Sequence, residues 1–142
     1  MKHEPCDLIK QIPKKLIDKM FENADIDVDY TFLCFEEAYK AVTEFVPKDT
    51  IIIDFGCAYA FQSWYFKDYK KYIGVEIQGN EKSVLKLDNS EFYFMSIQEF
   101  ISEFDKLGYD KEKVFAICSY VPDKQARQMV RENFPYCLVY YP

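Results

Sequence analysis

Two acidic residues, Asp54 and Glu76, stand 22 positions apart, and each closes a short apolar run. The first lies in Thr50-Ile51-Ile52-Ile53-Asp54-Phe55-Gly56-Cys57-Ala58-Tyr59-Ala60. Gly56 permits a backbone conformation or close approach that a side chain forbids, and Ala58 and Ala60 keep the turn small. A buried strand, a small-residue turn and a helix N-terminus together form a site for a ligand carrying an anionic group. Glu76 follows Gly74-Val75 and precedes Ile77. A carboxylate at the end of the next strand is placed to hold both hydroxyls of a ribose. The chemistry these residues point to is therefore the binding of a nucleoside.

The turn discriminates among nucleosides. A pyrophosphate needs a second glycine for close backbone approach, and Ala58 stands there. The lysine-bearing loop that cradles phosphates is absent. Asp54 would also repel a pyrophosphate in a partly buried site. A nucleoside joined to an amino acid through a sulfonium fits better. Its cationic groups favour acidic and aromatic neighbours, and its carboxylate can face a helix N-terminus.

Other chemistry-bearing residues have plainer readings. Cys118 has no histidine or local cation beside it, so an inert buried thiol is preferred to a nucleophile. Tyr120 and Asp123 are the candidates to orient an acceptor or take its proton, although Asp123 equally suits the first turn of the next helix. Lys124, Arg127 and Arg131 form one helical stripe that can meet RNA phosphates, but a solvated face is the simpler account. The cysteines, Cys6, Cys34, Cys57, Cys118 and Cys137, contain no C-x-x-C pair, and His3 is the only histidine. That spacing gives no structural zinc site, and free thiols are expected.

These residues need elements to position them. Strands are expected at 50–54, 71–76, 91–95, 113–118 and 136–141, with helices near 59–67, 80–86, 97–107 and 123–133. Such alternation implies a parallel sheet with right-handed crossovers, covered on both faces. Ser96 and Glu99 form a capping box for the helix at 97–107, and Gly108 suits its stop. Two further helices precede the sheet. One spans 7–23, or begins properly at Pro13, which a first helical turn tolerates, with Leu8, Ile12, Leu16 and Met20 on its apolar side and lysines between them. The other runs from about Thr31 to Val46, with Phe32, Phe35, Tyr39, Val42 and Phe45 near one face. Asp25 to Asp29 reads as an acidic connector without the ligand spacing of a calcium loop.

The chain of 142 residues, 49% hydrophobic and 30% charged, has a globular composition and fits one domain. A helical extension, 1–47, precedes a core, 48–142. The net charge of −6 does not point to nucleic acid. No apolar run reaches membrane-spanning length, and a cytoplasmic location is the default expectation.

The motifs Ile51-Ile52-Ile53-Asp54-Phe55-Gly56-Cys57-Ala58-Tyr59-Ala60 and Tyr72-Ile73-Gly74-Val75-Glu76-Ile77 resemble those of class I, Rossmann-like S-adenosylmethionine-dependent methyltransferases. The resemblance covers about residues 48–142. It implies an α/β, doubly wound, mostly parallel five-stranded sheet in three layers, of order 3-2-1-4-5, with two extra N-terminal helices. The family's last two strands are missing from this small form. The resemblance further implies S-adenosylmethionine as cofactor and methyl transfer to an acceptor the sequence does not name. It places Asp54 and Gly56 beside the methionine portion, with Cys57 and Ala58 continuing that turn. Glu76 would bind the ribose and Ile77 would pack on the adenine. Ser96 and Ile97 would border the adenine edge, and the Cys118 carbonyl would face the ammonium. The alternative is a methyltransferase-like domain without activity, kept as a binding or protein-interaction module. The last strand, Cys137 to Tyr141, is apolar and falls at a sheet edge. It is expected to join a second copy or a protein partner, or to lie under the N-terminal helices.

Overall fold

The computed structural model describes residues 7–22 and 36–142. Five strands build its sheet: β1 (Ile51–Phe55), β2 (Lys71–Val75), β3 (Ser90–Tyr93), β4 (Val114–Ser119) and β5 (Cys137–Tyr140). All pairings are parallel and the order is β3-β2-β1-β4-β5, as the alternating pattern predicts. β1 is central because Ile51, Ile52 and Ile53 suit burial on both faces, and all five of its residues are buried.

Helices cover each face. On one, α4 (Ile97–Glu103) and α5 (Lys124–Asn133) bring Phe100, Ile101, Ala126 and Val130 onto Ile53, Phe55, Val75 and Ala116. On the other, α3 (Glu36–Phe45) brings Tyr39 and Val42 onto Ile52, Tyr72 and Ile117. The caps follow the sequence. The Glu99 amide donates to Ser96 Oγ at 3.1 Å, and Asp123 Oδ1 accepts from the amides of Gln125 and Ala126. The α-helix at 97–107 tightens into a 3-10 turn at Phe104–Leu107 before Gly108 ends it at φ +76°.

Three expectations are corrected. The helix at 7–23 is two helices, α1 (Asp7–Gln11) and α2 (Lys14–Phe21), because Pro13 has no N–H to carry the first onward. The segment at 59–67 is a 3-10 helix, Phe61–Phe66, entered through Ala60 at φ +60°. Residues 80–86 form turns rather than a helix. There Asn80 Oδ1 accepts from the Lys82 amide and Ser83 Oγ donates to the Asn80 carbonyl, local bonds that compete with a helical ladder. α1 and α2 pack over this stretch, bringing Leu8, Ile12 and Met20 against Phe61 and Leu85. That cluster contains no residue of β5. The start of the helix expected at 31–46, with Phe32 and Phe35, lies outside the described residues, as do His3, Cys6, Cys34 and the acidic connector.

Among the described residues Cys57, Cys118 and Cys137 are free thiols, and no His, Cys, Asp and Glu cluster could hold a metal ion. No described helix is long and apolar enough to cross a membrane.

Candidate functional site

In an open parallel sheet, ligands sit beyond the carboxyl ends of the strands where the strand order reverses. Here the reversal is at β1, flanked by β2 and β4. A cavity of about 400 Å3 opens at that point, within the range typical of small-ligand sites. Its walls come from Gly56 and Ala58 after β1, Val75 to Ile77 from β2, Met95 to Gln98 after β3, and Ser119 to Asp123 after β4.

The strand register sets its width. Val75, Phe55 and Cys118 form one paired row. One residue further lie Glu76, Gly56 and Ser119, so Glu76 and Ser119 face each other across two strand spacings, about 10 Å. Gly56 sits between them at φ +74°, and a Cβ there would meet Val121 Cγ2 at 2.8 Å. The next small residues share its conformation: Ala58 has φ +52° and Ala60 has φ +60°. Three left-handed residues in alternation are the backbone of a glycine-rich turn, built here with alanine at two of the three positions.

The turn's amides are used internally. Those of Gly56 and Cys57 both donate to the Val75 carbonyl, at 2.8 and 3.2 Å, and that of Ala60 to the Cys57 carbonyl at 2.8 Å. The Ala58 amide donates to Glu76 Oε1 at 3.1 Å. The helix that follows is a short 3-10 turn rather than the expected α-helix. Among the described residues the cavity wall carries two carboxylates, Glu76 and Asp123, and no lysine, arginine or histidine. Its field therefore favours a cationic ligand over an anionic one.

Gly56, Ala58, Glu76, Ile77, Ser96 and Ile97 are brought together in this cavity, and so are Tyr120 and Asp123. Asp54, Cys57 and Cys118 do not line it, and all three are fully buried. Asp54 points to the α3 face, where its carboxylate accepts from Tyr39 Oη at 2.9 Å, Tyr72 Oη at 2.5 Å and Gln62 Nε2 at 2.7 Å. Burial pushes its pKa from the ordinary 3.8 to about 6, against those hydrogen bonds, which pull it down. Burial also raises the Cys57 thiol well above its usual range and the Cys118 thiol to about 12, so neither is a thiolate nucleophile.

The wall after β4 is held from behind. Arg127 Nη1 donates to the carbonyls of Val121 and Pro122, at 2.7 and 2.8 Å, and its guanidinium lies 4.4 Å from the centre of the Tyr141 ring. The stripe of cations thus has its middle member spent on structure. Tyr120 adopts φ +60° and packs edge-on to Tyr140 at 5.3 Å. The Asp123 carboxyl is held below its usual range, first by the bond from Gln98 Nε2 at 2.9 Å and then by the α5 amides. Sequence reasoning missed Gln62 and Ser119. Ser119 is 5% exposed, lines the cavity, and its Oγ has no hydrogen-bond partner. Only the register, which sets Ser119 opposite Glu76, marks it out.

No family model matches the chain, and no curated protein matches it. Among solved structures it is similar to one described as "a Putative Type II Methyltransferase from Anaeromyxobacter dehalogenans", at 13% identity and a TM-score of 0.49. The match covers 69% of this chain and 42% of that one. The site's own geometry, not this likeness, carries the functional reading.

Proposed function

We propose that the chain binds S-adenosylmethionine at the end of the sheet and transfers its methyl group to an acceptor held near Tyr120. The observation that carries this reading is the cavity at the switch point. There a strand-end carboxylate, Glu76, stands beside a left-handed turn, and among the described residues no basic side chain shares the wall. A pyrophosphate finds the Gly56, Cys57, Ala58 and Ala60 amides already used and no cation among the described wall residues, whereas a sulfonium nucleoside needs neither.

The residues fit such a ligand. Glu76 takes the ribose hydroxyls, with one carboxylate oxygen steadied by the Ala58 amide. Ile77 and Ile97 give an apolar slot for the base, with Ser96 at its edge. When bound, S-adenosylmethionine supplies a methyl carbon already activated by its sulfonium. The protein's part is to bring an acceptor into line and exclude water, which needs no histidine. Tyr120 and Asp123 stand on the acceptor side of the wall.

A second reading, a nucleoside-binding module without activity, is favoured by one observation. The two carboxylates of the wall already have partners: Asp123 caps α5 and binds Gln98, and Glu76 holds the turn. Calorimetric titration with S-adenosylmethionine, S-adenosylhomocysteine and NAD tests both. Micromolar binding of the first two, lost in Glu76→Ala, supports the site, and methyl transfer to any acceptor then separates enzyme from module. A folded protein that binds neither at millimolar concentration refutes both readings.

A further inference from the structure

Asp54 is the least accessible carboxylate of the site region, and it faces away from the cavity. Three elements close on it: Tyr39 from α3, Tyr72 from β2 and Gln62 from the 3-10 helix. Tyr39 and Tyr72 belong to the core beneath the sheet, and their hydroxyls bond Asp54 rather than the turn. Gln62 differs. Its Nε2 donates both to Asp54 Oδ2, at 2.7 Å, and to the Cys57 carbonyl, at 2.8 Å. It is half-buried, beside a turn whose residues Ala58 and Ala60 hold a conformation that alanine resists.

The backbone between Cys57 and Ala60 thus has an anchor outside itself. The Cys57 carbonyl is pinned to a fixed carboxylate through one amide group. The next N–H along the chain, that of Ala58, is the one that grips Glu76 Oε1. A strained turn persists only where its surroundings over-determine it, and here Gln62 ties it to Asp54 beside the bonds of the Ala58 amide to Glu76 and of the Leu85 amide to the Tyr59 carbonyl.

We propose that Gln62 is the positioning residue of the cavity: it locks the Cys57–Ala60 turn to Asp54, and so sets Glu76 for the ligand's ribose. The assignment rests on the sulfonium-nucleoside reading and adds the device that prepares the site. Gln62 touches no ligand and acts through Ala58 and Glu76. Asp54, which the sequence places beside the ligand, acts from behind as the fixed end of the same link.

The test is a double-mutant cycle read by calorimetry with S-adenosylhomocysteine, using wild type, Gln62→Met, Glu76→Gln and the double variant. Gln62→Met keeps the length of the side chain and loses both bonds. It is expected to weaken binding about tenfold, and the double variant is expected to bind no more weakly than Glu76→Gln alone. Tyr39→Phe is the control: it removes a donor to Asp54 without touching the turn, so it lowers Tm and leaves affinity unchanged. Should Gln62→Met not fold, Gln62→Asn keeps the amide but is too short to span both partners, and it shows the same loss. Wild-type affinity in the Gln62 variant overturns the assignment. So does a loss that adds in full to that of Glu76→Gln, or an equal loss in Tyr39→Phe. A wild-type protein that binds neither S-adenosylhomocysteine nor the sulfonium S-adenosylmethionine overturns the reading beneath it, and the assignment with it.

Discussion

Asp54→Asn gives a sharp test of the physical account of the sheet's centre. The Asp54 carboxyl has an ordinary pKa of 3.8 in an unfolded chain and one of about 6 in the fold. Between those values the folded protein binds a proton that the unfolded chain has released. The stabilisation is therefore complete below about pH 4 and is lost as pH rises through 6. At about 1.4 kcal/mol per unit, the shift of roughly two units amounts to about 3 kcal/mol between acid and neutral pH. Desolvation is the largest cause, and the three hydrogen bonds and the nearby Glu76 set the remainder. Urea unfolding of wild type and Asp54→Asn at matched pH values from 4 to 8 isolates this group, because the other titrating groups cancel in the difference. The wild-type stability relative to the variant is expected to fall by about 3 kcal/mol across that window, most steeply between pH 4 and 6. A difference that stays flat, or one that rises with pH, refutes the claim that burial outweighs hydrogen bonding at Asp54.

Two further outcomes follow from the turn and the edge. Ala58→Gly and Ala60→Gly should each raise the unfolding free energy by up to about 1 kcal/mol, read as a higher urea midpoint, since glycine removes left-handed strain at some cost in chain entropy. Gly56→Ala should instead lose about 2–3 kcal/mol, because it adds strain at φ +74° and a contact of 2.8 Å with Val121. At the edge, the Tyr136 and Tyr140 carbonyls accept from the amides of Ala116 in β4 and Tyr120 just after it, so the N–H groups of Cys137 and Val139 face outward. If that edge joins a second copy, Val139→Pro should dissociate it in sedimentation while β4 and β5 stay paired. A monomeric wild-type protein removes that expectation.

The fold was legible where local chemistry and long-range packing agree. Ile51 to Ile53 announce a covered strand, Ser96 with Glu99 a helix start, and Gly108 a stop, and each is found. The strand order follows from parallel alternation around that buried centre. Local signals misled where a competing local bond was cheaper than a helical turn. Asn80 and Ser83 break the crossover, and Ala60 converts the expected helix after β1 into a 3-10 turn. In the site, the positions after the strands were readable because the strand ends were. The direction of Asp54 was not. Its partners lie 8, 15 and 18 residues away, and nothing in their spacing says that tyrosines will claim it from below. Ser119 was hidden for the same reason, since its interest depends on facing Glu76 across β1.

The helix missing between β2 and β3 has a consequence for the order in which the molecule assembles. A crossover helix is made and docked by neighbouring sequence, but this chain roofs the same stretch with α1 and α2. Ile12 and Leu85, roughly seventy residues apart, meet there. Contacts of that span carry a large loop-closure cost and form after the sheet they cover. On the ribosome the two helices precede their partners, Phe61 and Leu85, and have nothing to dock on until that stretch is made. They are thus synthesised early and seated late, and late-seated units are the first to open in the native state. Phe61 begins the 3-10 helix that carries Gln62, so each such opening uncovers the segment that holds the turn. The seating of the N-terminal pair and the support of the turn thus meet at one residue, Phe61.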